Sequence, residues 1–295
     1  MRFSILEPMS VTENGDYRTP SAPKHRQMLA LFLMSANRVV SMAQFVEELW
    51  EYSPPPCAVA AVHTYVTQLR RMLKENSAPR ATGRLVTRDQ GYLLRVGDDE
   101  LDLNAYEHRI RVGRAALDAG ALDAGARQLR AAHAMWRRPG YIDAPTGPLL
   151  RAALAAIAQA HAESVVQRMD AELRLGRHHQ LLAELHALVH RDPTNEQLTG
   201  QLMLALYRSG RQTDALAVFH RLRDVLRTEL DATPHQRVHQ LITDILAGHP
   251  RLEPPRADGF RTSLDAGVRM SRPDTAQPWT GSASSSGAHP VLLGA

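Results

Sequence analysis

Residues 59–73 run Val59-Ala60-Ala61-Val62-His63-Thr64-Tyr65-Val66-Thr67-Gln68-Leu69-Arg70-Arg71-Met72-Leu73. Val59, Val62, Val66, Leu69 and Leu73 fall at spacings of three and four, the interval at which an α-helix returns to one face. One narrow apolar stripe is therefore expected to be buried. At about 100° per residue, Ala61, Thr64, Gln68 and Arg71 project roughly 140–200° away from Val66, with Ala60 and Thr67 beside them. That outer face is small, polar and basic. Pro54, Pro55 and Pro56 precede the helix, where a first turn needs no intrahelical donors.

Outward from this helix the pattern is mixed α and β. Downstream, Arg84 to Val96 holds two short β-rich runs joined around Asp89 to Gly91, which reads as a hairpin. Upstream, Met1 to Leu6 reads as a strand, and Val11 to Thr19 as a second one reversed through the Asn14-Gly15 turn signal. Lys24 to about Ala36 carries Met28, Leu29, Phe32 and Leu33 at helical spacing. A second helix starts after Ser41, where Ser41 and Gln44 form a capping-box pair, and it buries Phe45, Leu49 and Trp50 before stopping ahead of Pro54. Two helices, a Pro-marked turn, a longer third helix and a basic hairpin make the order of a winged helix-turn-helix. A helix fits the major groove of B-form DNA, and an Arg at a hairpin tip can reach the adjacent minor groove.

Charge supports the same segment. The 295 residues carry a net charge of +4, with a pI near 9.5. Residues 1–57 hold five Lys/Arg against six Asp/Glu, whereas residues 58–96 hold seven against two, a local excess of five positive charges. Such a patch is the electrostatic footprint of a polyanion partner.

Beyond residue 102 the chain is helical and repeats itself. The stretch around Leu175-Gly176-Arg177 returns 34 residues later as Ser209-Gly210-Arg211, with Leu173 matching Tyr207, Leu182 matching Leu216, Leu185 matching Phe219 and Leu188 matching Leu222. That period is the one of tetratricopeptide helix-turn-helix units, in which glycine permits the tight turn. A weaker copy has Gly120 at the turn and Leu129 and Ala132 in its second helix. At least three helix pairs should stack and present a groove to partners. The expected fold is mainly α with a small β component: a winged-helix domain over residues 1–101, an all-α tetratricopeptide-like domain over 102–249, and a disordered, Pro- and Gly-rich tail over 250–295 with Trp279 as its large aromatic.

These residues together resemble the Streptomyces antibiotic regulatory protein family in its short form. The resemblance covers residues 1 to about 249. It rests on Pro23-Lys24-His25-Arg26, on Ala36-Asn37-Arg38-Val39-Val40-Ser41, on Leu49-Trp50 before the proline run, on His63 to Arg71, and on Thr87-Arg88 ahead of Gly91-Tyr92. In the second domain it rests on Gln201 to Gln212 and Ala215 to Phe219. The resemblance implies a winged helix of the response-regulator type and a bacterial transcriptional activator domain. It also implies binding to direct repeats at promoters, usually of antibiotic or secondary-metabolite genes, by a dimer or tandem pair that recruits RNA polymerase. Major-groove contacts then fall to Thr64, Thr67, Gln68 and Arg71, and the wing contact to Arg88. No receiver domain precedes the winged helix, so phosphoryl control of that kind is not expected.

Other candidates are weighed on the residues alone. Arg70 lies nearer the buried stripe and can pair with an acidic residue of the second helix or touch phosphate. Tyr92 packs the hairpin onto the domain and can offer its hydroxyl to phosphate, and Lys24 can reach phosphate near the first helix. His186 and His190 stand at i,i+4 on one helix face but lack a third ligand, so no metal and no cofactor is expected. His178-His179 sits at a repeat turn and should be exposed; Cys57 should be a small packing residue. There is no phosphate-binding glycine loop, nucleophile elbow or zinc motif, so the protein is not expected to be an enzyme. No leader opens the chain and no apolar run approaches the ~20 residues of a membrane span, so a cytoplasmic, nucleoid-associated protein is expected. Competing readings are a helical-repeat scaffold without specific DNA binding, and a repressor using the same DNA-binding domain.

Overall fold

The computed structural model describes residues 1–6, 8–73, 83–136 and 142–253. Strands β1 (Arg2–Ser4), β2 (Ser10–Glu13) and β3 (Asp16–Tyr17) form an antiparallel sheet in that order, with Phe3 opposite Val11. Asn14 and Gly15 both have positive φ (52° and 89°) at the β2–β3 turn, as a two-residue hairpin with right-handed strand twist requires. Helix α1 (Pro23–Met34), strand β4 (Val39–Ser41) and helix α2 (Met42–Trp50) follow. Ser41 and Gln44 make the reciprocal capping box at the start of α2. Helix α3 (Ala58–Met72) leads to the hairpin β5 (Leu85–Arg88) and β6 (Gly91–Leu94). Strand β4 pairs with β6, so the wing is a three-stranded sheet in the order β4-β6-β5. Sequence reasoning had no signal for β4, because three residues are too few to show a period and their partner lies some fifty positions away.

Seven helices complete the described chain: α4 (Asp102–Asp118), α5 (Leu122–Met135), α6 (Pro148–Arg174), α7 (His178–Arg191), α8 (Glu196–Arg208), α9 (Gln212–Leu230) and α10 (Gln236–Ala247). The pairs α4/α5, α6/α7 and α8/α9 turn at Gly120, Gly176 and Gly210, with φ of 76°, 75° and 74°. Only glycine adopts that left-handed geometry freely, which is why the repeat is visible as a glycine period. The matched residues Leu185 and Phe219 are both buried, each on the second helix of its pair.

Buried apolar residues divide into two clusters, and the division falls inside α6. Phe3 through Leu154 form one, Val165 through Leu252 the other. Helix α6 has 27 residues, a length of about 40 Å, enough for its two halves to serve different cores. Its N-terminal half, with α4 and α5, buries Tyr106, Ile110, Leu129, Trp136 and Leu150 in the same cluster as the winged-helix residues. Residues Pro250–Leu252 form a 3-10 turn. Leu252 is buried against the second cluster and its carbonyl accepts from Arg208 Nε at 2.7 Å, so packed structure continues past residue 249. The rest of the expected disordered tail, 254–295 with Trp279, lies outside the described residues.

Candidate nucleic-acid interface

Helix α3 buries Ala58, Val62, Val66 and Leu69, and Leu73 just beyond it is buried too. Val59 is 52% exposed, which corrects its place in the apolar stripe. It lies seven residues before Val66, and a straight helix drifts about 20° over seven residues. At the first turn that drift gives the inward position to Ala58. Cys57, at the N-cap, is exposed rather than packed.

On the outer face Ala60, Thr64, Thr67, Gln68 and Arg71 are all exposed, as the helical wheel draws them, whereas Ala61, which the wheel also placed there, is half-buried. The hydroxyls of Thr64 and Thr67 donate back along the helix to Ala60 O (3.0 Å) and His63 O (2.9 Å). Gln68 Oε1 is hydrogen-bonded to His25 Nε2, whose ring stands edge-on to Tyr65 with centroids 5.0 Å apart. Arg71 has no hydrogen-bond or ion-pair partner among the described residues.

Arg70 behaves differently from its neighbour. Its Nε and Nη2 donate to Leu85 O (3.1 and 2.9 Å), Nη2 also reaches Thr87 Oγ1 (2.8 Å), and the guanidinium lies 5.6 Å from the Tyr92 ring centroid. It therefore ties α3 to the wing instead of pairing with an acid on α2, because its side of the helix faces β5. Tyr92 is 6% exposed and its hydroxyl meets His63 Nδ1 at 2.5 Å. Its packing use is the one realised, and burial withholds the hydroxyl from a phosphate. Arg88 is exposed at the end of β5, beside the Asp89-Gln90 turn. At the base of the wing, Arg84 binds both oxygens of Glu100 at 2.6 Å. The guanidinium beside it holds the Glu100 carboxyl down at about 2.

Lys24 is also committed elsewhere. Its Nζ donates to Leu49 O near the C-terminus of α2 and sits 5.7 Å from the Trp50 ring centroid, a position where a cation complements the helix dipole. This contact uses one of the three N–H groups of the ammonium. In the repeats, His178 is buried while His179 is exposed; the glycine turn folds the start of α7 inward, and burial pushes the His178 pKa down. Among the described residues no group of three or more His, Cys, Asp or Glu side chains could hold a metal ion, and no helix is long and apolar enough to cross a membrane. A groove of about 920 Å³ runs between α4, α6, α8 and α10, lined by Arg114, Asp118, Asp170, Gln201, Leu204 and Leu241 among others.

A small polar helix face, a sheet-backed wing and a stacked helical array define a DNA-binding transcription regulator of the winged-helix class. Residues 18–94 match the family model described as the C-terminal domain of transcriptional regulatory proteins, and residues 101–246 match that of the bacterial transcriptional activator domain. The chain is 35% identical to the regulatory protein DnrI of Streptomyces peucetius over 86% of its own length and 94% of that protein's. It is 31% identical to the regulatory protein AfsR of Streptomyces coelicolor over 96% of its length, spanning 28% of that longer protein. The structure of Mycobacterium tuberculosis EmbR in complex with a low-affinity phosphopeptide superposes with a TM-score of 0.75 at 30% identity, covering 86% of this chain and 66% of that one. The chain belongs to the Streptomyces antibiotic regulatory protein family of DNA-binding transcriptional activators.

Proposed function

We propose that the protein activates secondary-metabolite biosynthesis genes from the cytoplasm, where it associates with the nucleoid, and that it performs no catalysis. It binds promoter direct repeats as a dimer or tandem pair and recruits RNA polymerase, for which the groove between α4, α6, α8 and α10 offers a contact surface. On this reading residues 1–101 serve DNA and 102–252 serve partners, with the tail following them. Helix α3 enters the major groove with Thr64, Thr67, Gln68 and Arg71, and Arg88 enters the minor groove from the wing. Arg70 and Tyr92 hold the wing in register with α3, and Lys24 secures α2.

The observation that carries this reading is the contrast between adjacent arginines. Arg70 spends its guanidinium on the wing, while Arg71 stands exposed without a partner among the described residues. A guanidinium kept free on a helix face beside a wing suits a base edge or a phosphate. Gel-shift titrations against promoter fragments at several salt concentrations test it. Binding that weakens as salt rises is expected; no binding at low salt overturns the reading. Transcription reconstituted with RNA polymerase then gives the sign of regulation, and repression would reverse the word activator.

A further inference from the structure

The outward face of α3 is short of free hydrogen-bonding groups and rich in methyls. Val59 is 52% exposed at its first turn, with Ala60 exposed beside it. Thr64 and Thr67 donate their hydroxyl hydrogens to Ala60 O and His63 O, so each keeps a γ-methyl and an acceptor-only oxygen for a base. The bidentate reading of adenine in the major groove uses both amide atoms of an Asn or Gln, and cytosine is commonly read by a carboxylate, while a Thr hydroxyl gives only a single contact to either. Helix α3 has no Asn, Asp or Glu, and the oxygen of its one Gln is held by His25. His63 likewise spends Nδ1 on Tyr92.

We infer that α3 reads DNA chiefly through methyl contacts, selecting sites with thymines opposite Val59, Ala60, Thr64 and Thr67, and with guanine or phosphate left to Arg71. Thymine is the base that places a methyl group in the major groove, and toward its N-terminal end this helix face is mostly apolar carbon, from Val59, Ala60 and the methyls of Thr64 and Thr67. The inference rests on the proposal that α3 is the element in the major groove. It adds the chemical class of the bases read and brings in Val59, which the sequence pattern had assigned to the core.

The test uses the full-length protein and a promoter duplex located by footprinting. Each thymidine of one half-site is replaced in turn by deoxyuridine, which removes only the 5-methyl group. At one or more positions wild-type affinity should fall by about fourfold, the scale of one buried methyl. The same substitution should cost little in Val59→Ala or in Thr64→Ser, whichever residue faces that base, while Thr64→Val, which keeps the methyl and loses the hydroxyl, should retain the sensitivity. Val59 and Thr64 are exposed, so folding should survive, and circular dichroism checks it. If the wild-type protein binds the duplex and no deoxyuridine changes its affinity, methyl reading is overturned while DNA binding stands. If it binds no promoter fragment at low salt, both fall.

Discussion

Glu48 of α2 accepts the backbone N–H of Gly147 at 2.5 Å, where α6 begins. The same carboxylate accepts from Leu149 and Leu150, each at 3.0 Å. Glu48 is 1% exposed, and its own backbone carbonyl and Oε1 accept from Gln27 Nε2 at 2.6 and 3.1 Å. A buried carboxylate here satisfies three of the donors that every helix leaves unpaired at its N-terminus and lies at the positive end of the helix dipole. The helix that leads into α3 is thereby joined to the longest helix of the repeat array. Arg151 adds an ion pair to Glu51 at 2.8 Å, and Arg26 one to Asp143 at 2.9 Å.

Glu48→Ala should destabilise the fold by about 2–4 kcal/mol, because several buried N–H groups lose their acceptor together. Glu48→Gln keeps an acceptor oxygen and should cost less than the alanine variant. Urea denaturation of both variants beside the wild type measures the difference, and equal midpoints for all three would remove the cap from the account.

Gly147→Ala should also destabilise the fold, by a different route. A Cβ at Gly147 would lie 2.0 Å from the backbone carbonyl oxygen of Glu48. Backbone cannot swing aside as a side-chain end can, so α6 and α2 must separate, at a cost of about 1–3 kcal/mol. A thermal melt suffices: an unchanged midpoint contradicts the close approach.

Arg70→Ala and Arg71→Ala should separate stability from DNA binding. Losing Arg70 frees β5 from α3, so β5 amides should exchange faster and stability fall by about 1–2 kcal/mol; Lys at this position should not restore the forked contact. Losing Arg71 should leave stability within about 0.5 kcal/mol. It should weaken specific binding by more than about 1 kcal/mol if Arg71 contacts a base, or lower the salt slope by about one if it contacts phosphate. Amide exchange and titrations at three salt concentrations read both effects, and identical behaviour of the two variants would refute the division of labour.

Stability should fall as the solution is acidified below pH 6.5. His133 bonds Ser164 Oγ at 2.8 Å and lies 4.8 Å from His161, which meets the Tyr106 hydroxyl at 2.9 Å. Burial pushes their pKa values down to about 3 and about 4. Between those values and 6.5 the unfolded chain binds protons that the folded chain refuses, so folding is favoured fully above pH 6.5 and progressively less below it. Glu100 adds a loss in the same direction only below pH 4.5, toward its folded value of about 2. Urea midpoints at pH 7.5, 6 and 5 read the histidine window, and His133→Gln should make the fall shallower while leaving the share of His161.

Helix α3, the capping box at Ser41, the Asn14-Gly15 hairpin and the glycine period of the repeats were all legible in sequence. Each is local: a 3.6-residue period, a side chain reaching three positions along, a positive φ that glycine or asparagine accepts. The exposed positions Thr64, Thr67, Gln68 and Arg71 followed from one wheel, because a regular helix carries its geometry with it. What tertiary structure alone decided was which of those groups are free. Arg70 and Arg71 are adjacent and chemically identical, and only the approach of β5 commits one of them. Lys24 is drawn to Leu49 O and the Trp50 ring, the Gln68 oxygen to His25, and Val59 is exposed because Ala58 takes the inward position at the first turn of α3. Strand β4 and the Glu48 cap on α6 join residues roughly fifty and one hundred positions apart, and no local pattern encodes a partner at that distance, since it is set by how separate elements close on one core.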